Sequence, residues 1–350
     1  AAWILAREPY QQTEVYRFGN AIVDDWEGRV NAWPLDEGLI DYVDASYGAD
    51  SDENALYTVN VIANQTLMVN GAQVDAAAIT PALLADVLHE AEDVEANVAT
   101  GYHAIEFLLW GQDLNGTGAG AGARPATDFD PANCTGGACD RRAAYLKAAS
   151  TLLIADLEEM VGNWVADGAA RAALMADESA GLRAILTGLG SLSYGELAGE
   201  RMKLGLLVND PEEEHDCFAD NTHNSHYFNQ IGMRSVYTGH HRRIDGSIVS
   251  GPALADLIAA GDADLDAEIR GKIDATVVAM AAMKSRAESI EAYDQMIGEG
   301  NADGNAVVQA AIDGLVDQAR SFERAVSALA LEGIAFEGSD SLDNPDAVFQ

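Results

Sequence analysis

The chain has 350 residues, of which 57 are acidic and 20 basic, so its formal net charge is −37. A surface this negative repels phosphate backbones, which argues against nucleic acid as a partner, and no run approaches the roughly 20 apolar residues that span a bilayer. A chain of this length is too long for one ordinary hydrophobic core and predicts two domains. Ala, Leu and Glu are frequent and only 7% of residues are aromatic, which favours helices.

The chain begins within a helical pattern. Residues 1–19 read as the middle of an amphipathic helix rather than a natural start. No signal peptide is visible. We therefore infer that an N-terminal segment is missing, such as a leader and a first helix.

A long helix is predicted from Thr80-Pro81 through Trp110, because Thr is a good N-cap and Pro suits the first helical position. Gly101 interrupts this helix at a cost of roughly 1 kcal/mol relative to Ala. The glycine permits a kink or a close backbone approach, and simple tolerance explains it equally well.

A Gly- and Asp-rich loop, Gly111 to Pro131, follows and suggests a domain boundary. Cys134 and Cys139 then bracket four residues that are flexible enough to close a disulfide ring. Such a bond indicates an oxidising compartment. A metal-binding cysteine pair is the alternative, but it lacks a second pair. Cys217 is left over as a thiol.

Apolar residues recur with a helical period in segments 145–164, 265–297 and 308–329. These stripes predict an all-α fold of two antiparallel helical-bundle domains, with residues 1–131 in the first and 132–350 in the second. Within the second, residues 209–251 read as an irregular segment, and this segment holds five of the seven histidines.

His103 and Glu106 are the strongest local feature. Residues three apart share one face of a helix, so an imidazole and a carboxylate can meet one cation there. By spacing alone, a His–Glu hydrogen bond without metal is the commoner outcome. A zincin motif is absent, because Phe107 follows Glu106 where the inverted motif requires His.

Further ligands are available in the second half. Glu200 and Arg201 fall in a predicted helix from Tyr194 to Val208, and a stretch rich in carboxylates and imidazoles follows, including His215, Asp220 and His223. Such donors suit iron, zinc or manganese. A solvated acidic loop with incidental histidines is the alternative.

Four segments together resemble the imelysin family, which includes the insulin-cleaving metalloproteinase and the iron-regulated protein A group. They are Gly-Tyr-His-Ala-Ile-Glu-Phe-Leu-Leu-Trp-Gly-Gln-Asp (101–113), with the family's Gly-x-His-x-x-Glu signature, and residues 29–43, 134–142 and 199–202 continuing through 220–223. The resemblance spans nearly the whole chain. It implies two helical bundles with the functional site at their interface, export to the periplasm or the outer-membrane surface, and a role in iron acquisition.

The resemblance also implies roles for individual residues. It implies that His103 and Glu106 are metal ligands and that Glu200 is a ligand supported by Arg201. His215, Asp220 and His223 are further candidate ligands, for which the resemblance is weaker. Gly101 with Arg29, Trp33 and Asp36 is expected to wall the cleft.

Three functions follow as hypotheses. The first is a non-enzymatic protein that binds iron, or alternatively zinc, as a cation or a small chelate such as haem or citrate, and serves membrane iron-uptake components. The second is a metal-dependent peptidase, in which the metal activates water. The third is a partner-binding module without metal, in which His103 and Glu106 are hydrogen-bonded in the core.

Overall fold

The structure is a computed structural model that describes residues 1–349. It is 63% helical with 4% strand, which confirms the predicted all-α fold. No helix in the described part of the chain is long and apolar enough to cross a membrane.

The elements follow one another along the chain as fifteen α-helices and two short hairpins among residues 1–349. They are α1 (Ala2–Gln11), α2 (Ala21–Asn31), α3 (Glu37–Ile40), β1 (Thr66–Val69), β2 (Ala72–Asp75), α4 (Pro81–Leu83), α5 (Gly101–Trp110), α6 (Cys139–Trp164), α7 (Ala169–Met175), α8 (Glu178–Ser191), α9 (Leu204–Val208), α10 (Thr222–Thr238), β3 (His240–Arg242), β4 (Ile248–Ser250), α11 (Leu254–Gly261), α12 (Ala263–Ser289), α13 (Tyr293–Ile297), α14 (Ala302–Ala328) and α15 (Asp340–Asp343). Both hairpins are antiparallel, β1 with β2 and β3 with β4. Two π-helical segments, Leu84–Leu88 and Leu192–Lys203, continue α4 and α8.

Packing divides the chain into two compact units. The larger unit contains residues 1–24, 116–120 and 166–350, and the smaller unit contains residues 25–115 and 121–165. These units differ from the predicted domains 1–131 and 132–350, and that domain boundary stays a prediction.

The core of the larger unit is built on its two longest helices, α12 and α14, which pack on each other. Ile269, Ile273 and Met280 of α12 are buried, as are Ile312 and Phe322 of α14, in keeping with the predicted stripes. The apolar stripe that was predicted over residues 265–297 extends past the end of α12, and there it was wrong at one position. The helix ends at Ser289, and Ile290 is exposed.

The predicted irregular segment 209–251 was wrong in its middle, because α10 lies there. This helix was not predicted because most of its buried positions are polar, although Met233 and Tyr237 near its end join the apolar core. The polar groups are hydrogen-bonded instead. Asn229 donates to Gln11, and Gln230 and Gln318 exchange side-chain hydrogen bonds of 2.9 Å. Burial of such groups is tolerated when partners are present.

The smaller unit contains the segment that was predicted as one helix from Thr80 to Trp110. The Thr80 cap is confirmed, since its hydroxyl accepts from the Leu83 N–H, but the helix ends after the π-helical turn at Leu88. His89 has an extended backbone and begins the connection that follows. Its Nε2 lies 3.0 Å from the Gly28 carbonyl oxygen, and its Nδ1 faces the Ala99 N–H at 3.4 Å. A 3₁₀ turn, Ala91–Asp93, lies within this connection, and α-helix resumes at Gly101.

Candidate metal centre

Gly101 begins α5 rather than interrupting a longer helix. Its φ is +81°, and a Cβ at this position would lie 2.6 Å from the Val30 carbonyl oxygen of α2. Both observations require glycine, because other residues rarely adopt this conformation and would collide with α2. The close approach thus fixes the start of α5, two residues before His103.

His103 and Glu106 face each other across one turn of α5. His103 Nδ1 lies 3.0 Å from Glu106 Oε2, and both side chains are fully buried. The surrounding α5 positions Ala104, Ile105 and Phe107 are apolar and buried. Burying an imidazole and a carboxylate in such surroundings costs free energy, which their mutual hydrogen bond offsets in part.

The three side chains predicted to line the cleft, those of Trp33, Asp36 and Arg29, contact different partners. The Trp33 ring packs against His103 with centroids 5.1 Å apart. Asp36 accepts a hydrogen bond from Asn54 at 2.5 Å, and burial raises the pKa of its carboxyl group. Arg29 is half-exposed and pairs with Asp156 and Glu159 of α6.

The larger unit contains a second buried His–carboxylate pair, His215 and Asp216. A ring nitrogen of His215 and a carboxylate oxygen of Asp216 lie within 4.8 Å of each other. Arg7 Nη2 donates to Asp216 Oδ1 at 2.6 Å, and neither side chain is exposed. Asn221 and Ser225 donate to the other carboxylate oxygen. An imidazole beside a carboxylate is a donor set that can hold a metal.

The sequence places Asp216 among the candidate carboxylates of the stretch after Glu200 but gives it no separate role, and it does not indicate the partner Arg7. Arg7 is 209 residues away along the chain, so nothing local in the sequence could have revealed the pair.

The two histidines of α10 lie in its first two turns. Burial lowers the pKa of His226 to about 3, and His226 packs edge-on against the Tyr293 ring. Burial and the nearby Lys284 cation lower the pKa of His223 to about 4. Both imidazoles are therefore neutral near pH 7, the form that binds metals. Asp220 precedes the helix with a left-handed backbone, and is half-buried.

Glu200 and Arg201 lie in the π-helical segment Leu192–Lys203, and point into different surroundings. Glu200 is exposed, whereas Arg201 is buried and donates to Glu14 and Glu196 at 2.7 Å each. π-Helical turns are rare and frequently mark functional sites. Glu200 as a ligand stays a prediction.

Cys134 and Cys139 form a disulfide, with Cα atoms 5.9 Å apart. Arg142 of α6 donates to the Gly137 carbonyl inside this ring and pairs with Asp41 through Nε at 2.6 Å. Arg142 thus connects the disulfide ring to the buried Asp41 carboxylate of the smaller unit. Cys217 is buried and takes no part in the disulfide.

Comparisons with known proteins agree with this architecture. The sequence profile of the imelysin family, also designated peptidase M75, matches residues 1–322. A crystal structure named as an iron-regulated protein A precursor, from Parabacteroides distasonis ATCC 8503, superposes with a TM-score of 0.62. The two sequences are 16% identical, and the matched region covers 93% of this chain and 81% of the chain in that structure. This likeness shows the fold alone. No curated protein matches the chain.

Proposed function

We propose that this chain, which belongs to the imelysin family, binds a metal cation at a site that includes the His103–Glu106 pair, with iron as the expected metal. The observation that carries the proposal is the complete burial of this hydrogen-bonded pair on an apolar helix. A cation bound to His103 takes Nε2, because Nδ1 is committed to Glu106. Zinc is the second candidate metal, since imidazole and carboxylate donors suit both.

We propose further that His215 and Asp216 serve the same cation. The support is chemical, since Arg7, Asn221 and Ser225 hold the Asp216 carboxylate in place. The family resemblance, which implies a site shared by two bundles, is the second support. Glu200, Asp220 and His223 remain candidate ligands, and replacing each of them by alanine tests its role.

Isothermal titration of metal-free protein with Fe²⁺ under anaerobic conditions, and with Zn²⁺, tests the proposal. We expect one saturable site that His103→Ala abolishes and that the exposed-hairpin control His241→Ala leaves unchanged. Affinity should fall as the pH drops, because the ligands bind as neutral imidazole and ionised carboxylate. Absence of saturable binding, or binding unaffected by His103→Ala, contradicts it.

The biological role we propose is iron acquisition by an exported protein. Two observations support this role. The Cys134–Cys139 disulfide is typical of an oxidising compartment, and the structural neighbour is named for iron regulation. Growth of a deletion strain on limiting iron should be impaired, and restored by the wild-type gene but not by His103→Ala.

A metal-dependent peptidase is the second candidate, favoured by the family's peptidase designation. Its test is cleavage of insulin B chain by purified protein. Cleavage that is lost on chelation, restored by metal and absent in His103→Ala would establish it. Cleavage that survives in His103→Ala would indicate a contaminating protease.

A further inference from the structure

We infer that Glu106 positions His103 rather than ligating the cation, by accepting the Nδ1–H hydrogen bond that makes Nε2 the metal-binding nitrogen. This inference rests on the proposed function. It gives different roles to two residues that sequence spacing alone treats as equivalent ligands.

Ring geometry separates the two roles. The outward directions of Nδ1 and Nε2 diverge widely, so a cation on Nε2 lies across the imidazole from any group bound to Nδ1. Glu106 Oε2 lies 3.0 Å from Nδ1. A metal–carboxylate bond spans only roughly 2.0–2.2 Å, which cannot reach around the ring. Glu106 can ligate that cation only by giving up its hydrogen bond to His103.

The surroundings keep this arrangement in place. The two residues lie three apart on α5, and both side chains are fully buried. Trp33 packs against the imidazole at 5.1 Å with its ring plane tilted by 57°. A carboxylate behind a ligating imidazole fixes the tautomer and raises the basicity of the other nitrogen. Glu106 is thus suited to strengthen His103 as a ligand before any metal arrives.

His89 serves as a reference within the same protein, because its contacts select the opposite tautomer. Its Nε2 lies 3.0 Å from the Gly28 carbonyl oxygen, and its Nδ1 faces the Ala99 N–H. A carbonyl oxygen can only accept and an amide N–H can only donate. His89 is therefore the Nε2–H tautomer, whereas His103 beside the Glu106 carboxylate is the Nδ1–H tautomer.

Long-range ¹H–¹⁵N correlation on ¹⁵N-histidine-labelled, metal-free protein reads both tautomers directly. We expect an Nδ1–H pattern for His103, assigned by its loss in His103→Ala, and an Nε2–H pattern for His89. Zn²⁺ should move the His103 Nε2 resonance and leave Nδ1 protonated. An Nε2–H tautomer of His103 in the metal-free protein, or a zinc-induced loss of the Nδ1 proton, overturns the inference.

The two proposals fail in distinguishable ways. Zinc binding with the wrong His103 tautomer overturns the positioning role alone. Absence of any zinc response at His103 contradicts the proposed function, and the positioning role with it.

Affinity measurements on Glu106→Gln give an independent readout, because the amide oxygen can still accept from Nδ1–H. We expect binding to weaken by about 10–100-fold, the usual cost of losing a ligand-orienting partner, with one site retained. The control Glu95→Gln removes an exposed carboxylate of the same unit and should change nothing. A loss in Glu106→Gln as complete as that in His103→Ala would mean that Glu106 is a ligand.

Discussion

At the residue scale, two buried carboxylates, those of Asp216 and Asp41, are paired with buried guanidinium groups. Arg7 pairs with Asp216 in the larger unit, and Arg124 and Arg142 pair with Asp41 in the smaller unit. The His103–Glu106 pair could be predicted from its helical spacing, because residues three apart meet on one face. The Arg7–Asp216 pair could not, because its members are brought together only by tertiary packing.

Removing Arg7 should destabilise the larger unit strongly. Arg7→Met leaves Asp216 buried without its counter-charge, which costs about 3–5 kcal/mol. Denaturant-induced unfolding of metal-free protein measures the loss. The matched control is Arg234→Met, whose partner Asp274 is exposed at the surface, and it should cost under about 1 kcal/mol. Equal losses in the two variants would show that the buried pair contributes nothing special.

His226 should make the stability of metal-free protein depend on pH. Its pKa is about 3 when folded, below the ordinary value near 6.5. Protons therefore bind the unfolded chain preferentially between these values, and stability is lost as the pH falls through that window. The slope contributed by His226 approaches about 1.4 kcal/mol per pH unit.

Unfolding free energies measured between pH 4 and pH 7 test this, by comparing wild type with His226→Gln. We expect a shallower pH dependence in His226→Gln and an unchanged one in the exposed-residue control His241→Gln. An identical slope in all three proteins would show that His226 is not a buried neutral imidazole.

At the element scale, apolar periodicity predicted the long core helices and failed where buried faces are polar. The stripes of α12 and α14 are buried, since these helices pack by apolar contact. α10 was missed because polar residues, mainly asparagine, glutamine and histidine, occupy most of its buried positions. The connection before α5 was missed because His89 replaces helical hydrogen bonds with its own contacts to Gly28 and Ala99.

Gly101→Ala should prevent α5 from packing on α2. A left-handed backbone costs a residue with Cβ about 1–2 kcal/mol, and the contact with the Val30 carbonyl oxygen adds to that cost. Gly271→Ala is the matched control, because nothing lies within 4 Å of a Cβ in the middle of α12, and alanine there should stabilise by roughly 0.5–1 kcal/mol. Thermal unfolding of both variants gives the comparison, and a stabilised Gly101→Ala would contradict the packing described.

At the scale of the whole molecule, the net charge of −37 affects the stability of the fold. Like charges repel one another in the compact state, and salt shortens the range of that repulsion from about 10 Å at 0.1 M to about 3 Å at 1 M. We expect the Tm of metal-free protein to rise by several degrees over this range, equally in NaCl and KCl. A Tm that is constant or falls with added salt would show that self-repulsion is negligible.

The most direct test of metal binding by His103 is an anomalous-scattering experiment on crystals grown from iron-loaded protein, with data collected on both sides of the iron edge. We predict one dominant anomalous peak at bonding distance from His103 Nε2, with Glu106 still hydrogen-bonded to Nδ1. Crystals of demonstrably loaded protein with no iron peak at His103, or with the iron held only by other residues, would contradict it.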